Sequence, residues 1–353
     1  MSDREQRNLR GPLKSCTEEQ TFPGWTDAEG KTHPEVHLES TWEYDIAGHL
    51  MNTRSRNSDG SQWVTRYAYD PSARLLRTTS GVEGQVSKET NYSYVELGRL
   101  QKISGGSGTE EPIIFRYDDQ GRKSKIEISR PADYRPGIAE GGSPFEATDR
   151  APNLAGGGSA TTTYDENDRA TEVQVRDASG ELVKRAIRTY DEEGHVLEEQ
   201  QILDNPETMF PAEVFARIAE QSGTSPDLLR QELRAKLTEL MAGQCGPYSV
   251  SYAYDSRGRT NLTNRRIFNH ADEIETAYNE HGELASEITR RTLLVGESDP
   301  TTPAPGPTPH SEARYSYKYD DRGNWIEQSI SYRSSPDAAF QSSTVIKRAL
   351  TYY

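Results

Sequence analysis

Polar and apolar residues alternate along most of this chain. Rings fall two residues apart in the pairs Trp42/Tyr44, Tyr67/Tyr69, Tyr92/Tyr94, Phe115/Tyr117, Tyr252/Tyr254 and Tyr317/Tyr319. A period of two is that of a β-strand with one covered face. Most pairs are followed by a short polar stretch with Asp at its start and Gly near its end, and then by a looser alternation such as Leu100-Gln-Lys-Ile103 or Ile126-Glu-Ile128. The pattern predicts strand, tight turn, strand.

The same unit recurs along the chain. Nine segments align on the second ring, at Tyr44, Tyr69, Tyr94, Tyr117, Tyr164, Tyr190, Tyr254, Tyr278 and Tyr319. Five of the eight spacings lie between 23 and 26 residues, and the larger ones mark insertions. The shared pattern is Y-D-x-x-G-R. Asp after the Tyr can bond the backbone two residues on, as an Asx-turn. Gly three residues later supplies the left-handed conformation that closes a type I turn with a G1 bulge. The turn formers are Asp45, Gly48, Asp70, Gly98, Asp118, Gly121, Asp191, Gly194, Asp255, Gly258, Asp320 and Gly323. Val95 and Asn279 replace the Asp; Ala73 and Asp168 replace the Gly. Ala is strained in the left-handed region, so the turn at Ala73 is expected to be distorted or of another type. A second turn, as in Asp177-x-x-Gly180, closes each unit.

Two strands per unit give about 18 strands, or about 90 Å of ribbon at the usual strand spacing. Open sheets of that size curl. The expected fold is therefore all-β: a coiled antiparallel β-strip, a spiral or solenoid of hairpins, over residues 41–353. Residues 1–40 are expected to form an irregular N-terminal cap on its first edge. Pro/Gly-rich loops are expected at 131–160 and 291–312, the second polyproline-like.

The period changes to that of a helix in 206–243. Val214, Phe215 and Ile218 share a helical face. Ser225 and Pro226 start a second helix, Leu229, Leu233, Leu237 and Leu240 form its stripe, and Gly243 ends it. This predicts one inserted α-helical hairpin, packed on the sheet.

Composition adjusts this picture. Hydrophobic residues are 32% of the 353, while Tyr outnumbers Phe by 19 to 7, so amphipathic rings stand in for aliphatic bulk. The net charge of −15 disfavours nucleic acid, which needs neutralising Lys and Arg. No stretch is long and apolar enough for a membrane span, and no apolar leader is visible. Cys16 and Cys245 are read as free thiols rather than one bridge.

The repeated Y-D-x-x-G-R-L units resemble the YD repeats, also called Rhs repeats, from about residue 41 onward. That family includes bacterial Rhs proteins, B/C components of insecticidal toxin complexes and the teneurins. The resemblance implies a long spiralling β-strip, in some members a shell around a toxin, and a secreted or cell-surface setting. Self-cleavage is not expected: Asp70-Pro71 and Asp299-Pro300 do not continue as the D-P-x-G of the shell proteins. The chain closes on LTYY, with Tyr353 read as the Tyr of a tenth unit.

No metal, nucleophile or phosphate-loop motif is present. A non-enzymatic protein without cofactor or metal is expected. His49 and His195 occupy the position where other units carry Arg, which points to a role in the turn. The carboxylates at 165–168 and 191–193 are read as turn formers rather than calcium ligands. The candidate ligand-facing aromatics are Trp42, Tyr67, Tyr69, Tyr92, Tyr94, Tyr117, Tyr252, Tyr254, Tyr317 and Tyr319, as a ladder of rings that stack on each other or on sugars. A binding or adhesion scaffold follows, with glycans as candidate partner; the alternative is part of a shell around a protein cargo.

Overall fold

The computed structural model describes residues 2–26, 30–56, 60–105, 112–128, 145, 158–177, 179–205, 212–242, 249–267, 270–293 and 310–353. The chain divides into two compact units. One holds residues 1–110, 276–288 and 310–353; the other holds 111–275 and 289–309.

The first unit opens with a short helix, α1 (Asp3–Gln6), started by a Ser2/Glu5 capping box. It carries β1 (Leu13–Phe22), β2 (Val36–Tyr44), β3 (Leu50–Arg56), β4 (Gln62–Tyr69), β5 (Leu75–Val82), β6 (Lys88–Tyr94) and β7 (Leu100–Gly105). The second unit contributes β8 (Ile113–Tyr117), β9 (Lys123–Ile128), β10 (Gly158–Tyr164), β11 (Ala170–Arg176), β12 (Leu182–Tyr190), β13 (Val196–Leu203), β14 (Ser249–Tyr254) and β15 (Thr260–Ile267). The chain continues through β16 (His270–Tyr278) and β17 (Leu284–Leu293) to β18 (His310–Tyr319), β19 (Trp325–Arg333) and β20 (Gln341–Tyr352).

These twenty strands form one antiparallel sheet whose neighbours follow chain order. β1 is the exception that joins the ends. It pairs with β20 from Leu13↔Tyr352 to Thr21↔Val345, and with β2 from Ser15↔Glu43 to Phe22↔Val36. Two expectations are corrected here. Strand pairing closes, as in an antiparallel barrel, instead of leaving a strip with free edges. The segment before residue 40 is not an irregular cap, because it supplies the ten-residue strand that fills the seam. The physical reason is that an unpaired edge exposes a row of N–H and C=O groups, and β1 satisfies two such rows at once. Its inward side chains, Leu13 and Cys16, are buried with Leu9 and Tyr44, and Trp42, Leu50, Leu350 and Tyr352 pack around them.

The second unit has its own apolar cluster of Ile128, Phe145, Ala160, Val173, Val175 and Ala186. The helical hairpin is present as α2 (Ala212–Ser222) and α3 (Pro226–Ala242). Ser225 caps α3 as expected, its Oγ accepting from the Leu228 N–H at 3.2 Å. Phe215 and Ala219 are buried, whereas Ile218 is exposed, so the apolar face of α2 is narrower than its spacing suggests. Gly243 and the side chains of Val214, Leu237 and Leu240 lie outside the described residues, as does most of the expected loop at 131–160 and residues 294–309 of the Pro-rich one. Among the described residues no helix is long and apolar enough to cross a membrane.

Candidate functional site

The Tyr–Asp turns are built alike. In each, the Asp N–H reaches the carbonyl four residues on, and the residue at the Gly position donates back to the Asp carbonyl, as in Asp118→Arg122 at 3.0 Å and Gly121→Asp118 at 2.9 Å. The carboxylate braces the loop from inside. Asp118 Oδ1 accepts from the N–H groups of Gln120 and Arg122, and Oδ2 accepts from Arg122 Nε at 2.8 Å. Asp70, Asp165 and Asp255 hold Arg74, Arg169 and Arg259 in the same way. Asp45 and Asp191 hold the Nδ1 atoms of His49 and His195, each at 2.9 Å. Asp320 accepts from the backbone N–H of Asn324 at 2.8 Å. The ladder slips by one residue at Tyr44, Tyr69, Tyr94, Tyr117, Tyr164, Tyr190, Tyr254 and Tyr319, as between Ala68 and Tyr69, which is the bulge expected from the sequence.

The Ala73 turn is not distorted, and that expectation is corrected. Ala73 adopts φ +63 and Asp168 φ +61, and the Asp70 bonds to Ser72 and Arg74 match those of the other turns. Distortion falls at Val95, where the bracing oxygen is missing. There Leu97 is forced to φ 70 with its side chain in water. Asn279 keeps the oxygen and the turn, its Oδ1 accepting from the N–H groups of His281 and Glu283. The side-chain oxygen after the Tyr determines the loop, and Gly follows from it.

The consensus Arg has a second role that sequence reasoning missed. Its guanidinium lies over the Tyr ring that ends the next unit: Arg74 over Tyr94 at 5.3 Å, Arg122 over Tyr164 at 4.8 Å, Arg169 over Tyr190 at 5.0 Å. His49 and His195 do the same on Tyr69 and Tyr254. Where Glu283 and Asn324 stand at the Arg position, the stacking group comes from two residues earlier: His281 on Tyr319 at 4.0 Å and Arg322 over Tyr352 at 3.9 Å. Tyr352, not Tyr353, is thus the ring of the tenth unit, and Tyr353 instead donates to the Tyr44 carbonyl at 2.6 Å. The signal was in the sequence: a cation recurs at one place in the turn.

The ring hydroxyl closes the clip. Ladder pairing between successive units stops at Asn52↔Arg66, Arg77↔Asn91, Lys125↔Thr161, Glu172↔Ile187 and Glu198↔Ser251. The Tyr three residues beyond then reaches back to the free carbonyl. Tyr69 donates to Leu50, Tyr94 to Leu75, Tyr164 to Lys123, Tyr190 to Ala170 and Tyr254 to Val196, at 2.6 to 2.9 Å. Tyr317 does so to Leu284 at 2.8 Å. Burial pushes Tyr67, as well as Tyr164, Tyr254, Tyr317 and Tyr319, above the usual phenol range.

The candidate aromatics therefore do not form rings stacked on rings from unit to unit. Successive Tyr–Asp rings sit two strands apart, about 9.6 Å, beyond the 4.5–7 Å of ring pairs. Arg or His fills the gap. Candidate rings on one strand contact each other at 6.5 Å for Tyr252/Tyr254 and 6.0 Å for Tyr317/Tyr319, and Tyr317 also meets Trp325 of the neighbouring strand edge-on at 6.2 Å. Trp42, Tyr67, Tyr92 and Tyr117 are half-buried, with Arg7 over Trp42 at 4.2 Å.

Two further arrangements stand out. Asp191, Glu193 and His195 bring ligand atoms within 4.8 Å of one another. The Asp191–His195 bond already explains that group, and Glu193 points into water. In the second unit Asp272 is fully enclosed, gripped by Arg291 Nε at 2.7 Å and Arg265 Nη2 at 2.8 Å, which hold its carboxyl at about 2. No nucleophile–base pair is formed by these groups.

No family model and no curated protein matches the chain. Among solved structures it is similar to a chain of the TcdB2-TccC3-Cdc42 crystal structure, at 12% identity and a TM-score of 0.36. The match covers 92% of this chain and 16% of that one, so this chain spans about a sixth of its length. It is also similar to a porin-like protein from Bacteroides uniformis ATCC 8492, at 10% identity and a TM-score of 0.35, covering 97% and 98% of the two chains.

Proposed function

We propose that the chain is a non-enzymatic repeat scaffold of the YD/Rhs kind whose closed sheet encloses a protein cargo. The observation that carries this reading is the seating of β1 between β20 and β2. A strand series that ends on itself cannot lengthen by adding units to an edge, and it separates two faces of one sheet. The clip geometry supports the same reading over a glycan ladder. The Tyr hydroxyls are committed to backbone carbonyls, and Arg or His covers a ring face that a sugar would need.

The test is protection of a passenger. The chain is co-expressed with the polypeptide encoded beside it, purified, and treated with protease before and after unfolding. Cargo that survives until the sheet is unfolded, with a hollow particle in electron micrographs, is the expected result. A solid particle, or cargo cut at the rate of free polypeptide, overturns the reading. Glycan arrays are expected to show no binding that depends on Tyr94 or Tyr254.

A further inference from the structure

The first unit carries an aromatic pocket that the repeat grammar does not use. It lies at the end of β1 away from the Tyr–Asp turns, and the cavity of about 330 Å³ is lined by Phe22, Pro23, Trp25, Tyr332, Gln341 and Ser342, with Ser343 beside them. Trp25 belongs to a two-residue ribbon in which Trp25 pairs with His33 and Thr26 with Thr32. Gly24 makes that ribbon possible, since a Cβ there would stand 2.8 Å from the His33 carbonyl oxygen. His33 in turn supports the indole from one side, with ring centroids 4.1 Å apart and planes 10° from parallel.

Three properties of the pocket define its ligand. Its rings are in water although they are large and apolar: Trp25 is 59% exposed and Tyr332 42%. Its polar groups are idle, because Trp25 Nε1, Tyr332 OH, Gln341 Nε2 and Ser342 Oγ make no hydrogen bond among the described residues. All four can donate. Its lining contains no charged side chain, which excludes phosphate and carboxylate ligands that need a cation.

A rigid aromatic groove edged with donors and free of charge matches a polyproline II segment. Such a segment presents flat prolines to the rings and, with proline amides missing, carbonyl oxygens in excess of N–H groups. The chain holds a sequence of that composition, Pro303-Ala-Pro305-Gly-Pro307-Thr-Pro309, itself uncharged. We propose that the Trp25/Tyr332 pocket binds the 303–309 segment of a second copy, so that the Pro-rich insertion links scaffolds. This inference stands apart from the cargo reading, since neither depends on the other.

The experiment uses the full chain with Pro303, Pro305, Pro307 and Pro309 changed to Ser, so that no copy's segment competes with added peptide. Calorimetric titration with a synthetic peptide of residues 300–310 is expected to show saturable binding of one peptide per chain. Trp25→Ala in that background should weaken it at least tenfold with an unchanged thermal midpoint, and a peptide with the same Pro→Ser changes should lose it. Wild-type protein should associate with rising concentration in sedimentation, and Trp25→Ala should not. Absence of peptide binding, indifference to Trp25→Ala, a monomeric wild type at all concentrations, or binding of a neutral oligosaccharide in place of the peptide each overturns the proposal. A hollow particle that fails to associate would leave the cargo reading standing and sink this one.

Discussion

The Tyr94 hydroxyl donates to the Leu75 carbonyl at 2.8 Å while Arg74, one residue before Leu75, lies over the Tyr94 ring. One residue pair thus ends β6, anchors the start of β5 and covers a ring. The bond sits where the ladder between these strands has already stopped at Arg77↔Asn91. The repeat is recognisable by Tyr-Asp because those two residues do different jobs: Asp braces its own turn, and Tyr reaches the turn of the unit before it.

Tyr94→Phe keeps the ring under Arg74 and removes the hydroxyl. The Leu75 carbonyl loses its partner at the end of the ladder, so the change should cost about 1 kcal/mol. Urea unfolding measures this through the midpoint at constant slope. A midpoint equal to wild type would show that water replaces the hydroxyl without loss.

Ala73 holds φ +63 in an otherwise regular turn. A left-handed L-residue costs roughly 1–2 kcal/mol relative to glycine, and nothing in the turn requires the methyl group. Ala73→Gly should therefore raise stability by about 1 kcal/mol, partly offset by the greater freedom of Gly in the unfolded chain. Gly121→Ala, where φ is +81, should lower it by a similar amount. Thermal unfolding of the two variants side by side checks the sign.

Val95 leaves the turn between β6 and β7 without its brace, and Leu97 takes φ 70 with 87% of its surface exposed. Val95→Asp should restore the bonds to the N–H groups at 97 and 99, return residue 97 to negative φ, and add about 1 kcal/mol. The local readout is proteolysis at Leu97, expected to slow at least several-fold. Unchanged cleavage would mean that the loop is set by its flanking strands.

These turns show how far the chain could be read without coordinates. The period of two, the Asx-turn and the bulge depend on neighbours in sequence, and they stood where the pattern placed them. The helix start at Ser225 was equally local. Closure was not legible, because the pairing of Ser15 with both Glu43 and Thr351 joins residues far apart, and KSCTEEQTF carries no Tyr-Asp mark. The stacking of Arg or His on the next ring was visible as a recurring cation but not as a contact. Trp25 and Tyr332 share no motif, so their pocket had no sequence signal at all.

Acid should loosen the second unit through its depressed carboxylates. Arg259 holds Asp255 at about 2, and Arg291 with Arg265 holds Asp272 at about 2, against about 3.9 in an unfolded chain. A lowered folded value means stability fully present above the unfolded value and lost as pH falls from about 4 toward 2. Urea midpoints taken from pH 6 down to 2 should fall across that window. Asp272→Asn should be destabilised at pH 6, by about 1–3 kcal/mol for the loss of its charge-assisted bonds to two arginines that themselves stay in reach of water, and should show a shallower acid limb. A limb as steep as wild type would assign the acid sensitivity elsewhere.

The seam gives the last prediction a chemical reporter. Cys16 is enclosed in β1 and burial pushes its thiol up to about 11, so it should be inert toward disulfide reagents while β1 stays between β20 and β2. In a Cys245→Ser background, the rate of Cys16 labelling at pH 8 then measures opening of the seam. Leu13 lies in the same cluster with no exposed surface. Leu13→Ala should cost about 3 kcal/mol and accelerate labelling roughly 100-fold, at 1.4 kcal/mol per factor of ten, if opening and global unfolding both feel the loss. Should labelling of the wild type be as fast as that of a free thiol, β1 would be exchanging out of the sheet, and the closed pairing would describe a minor state of the protein.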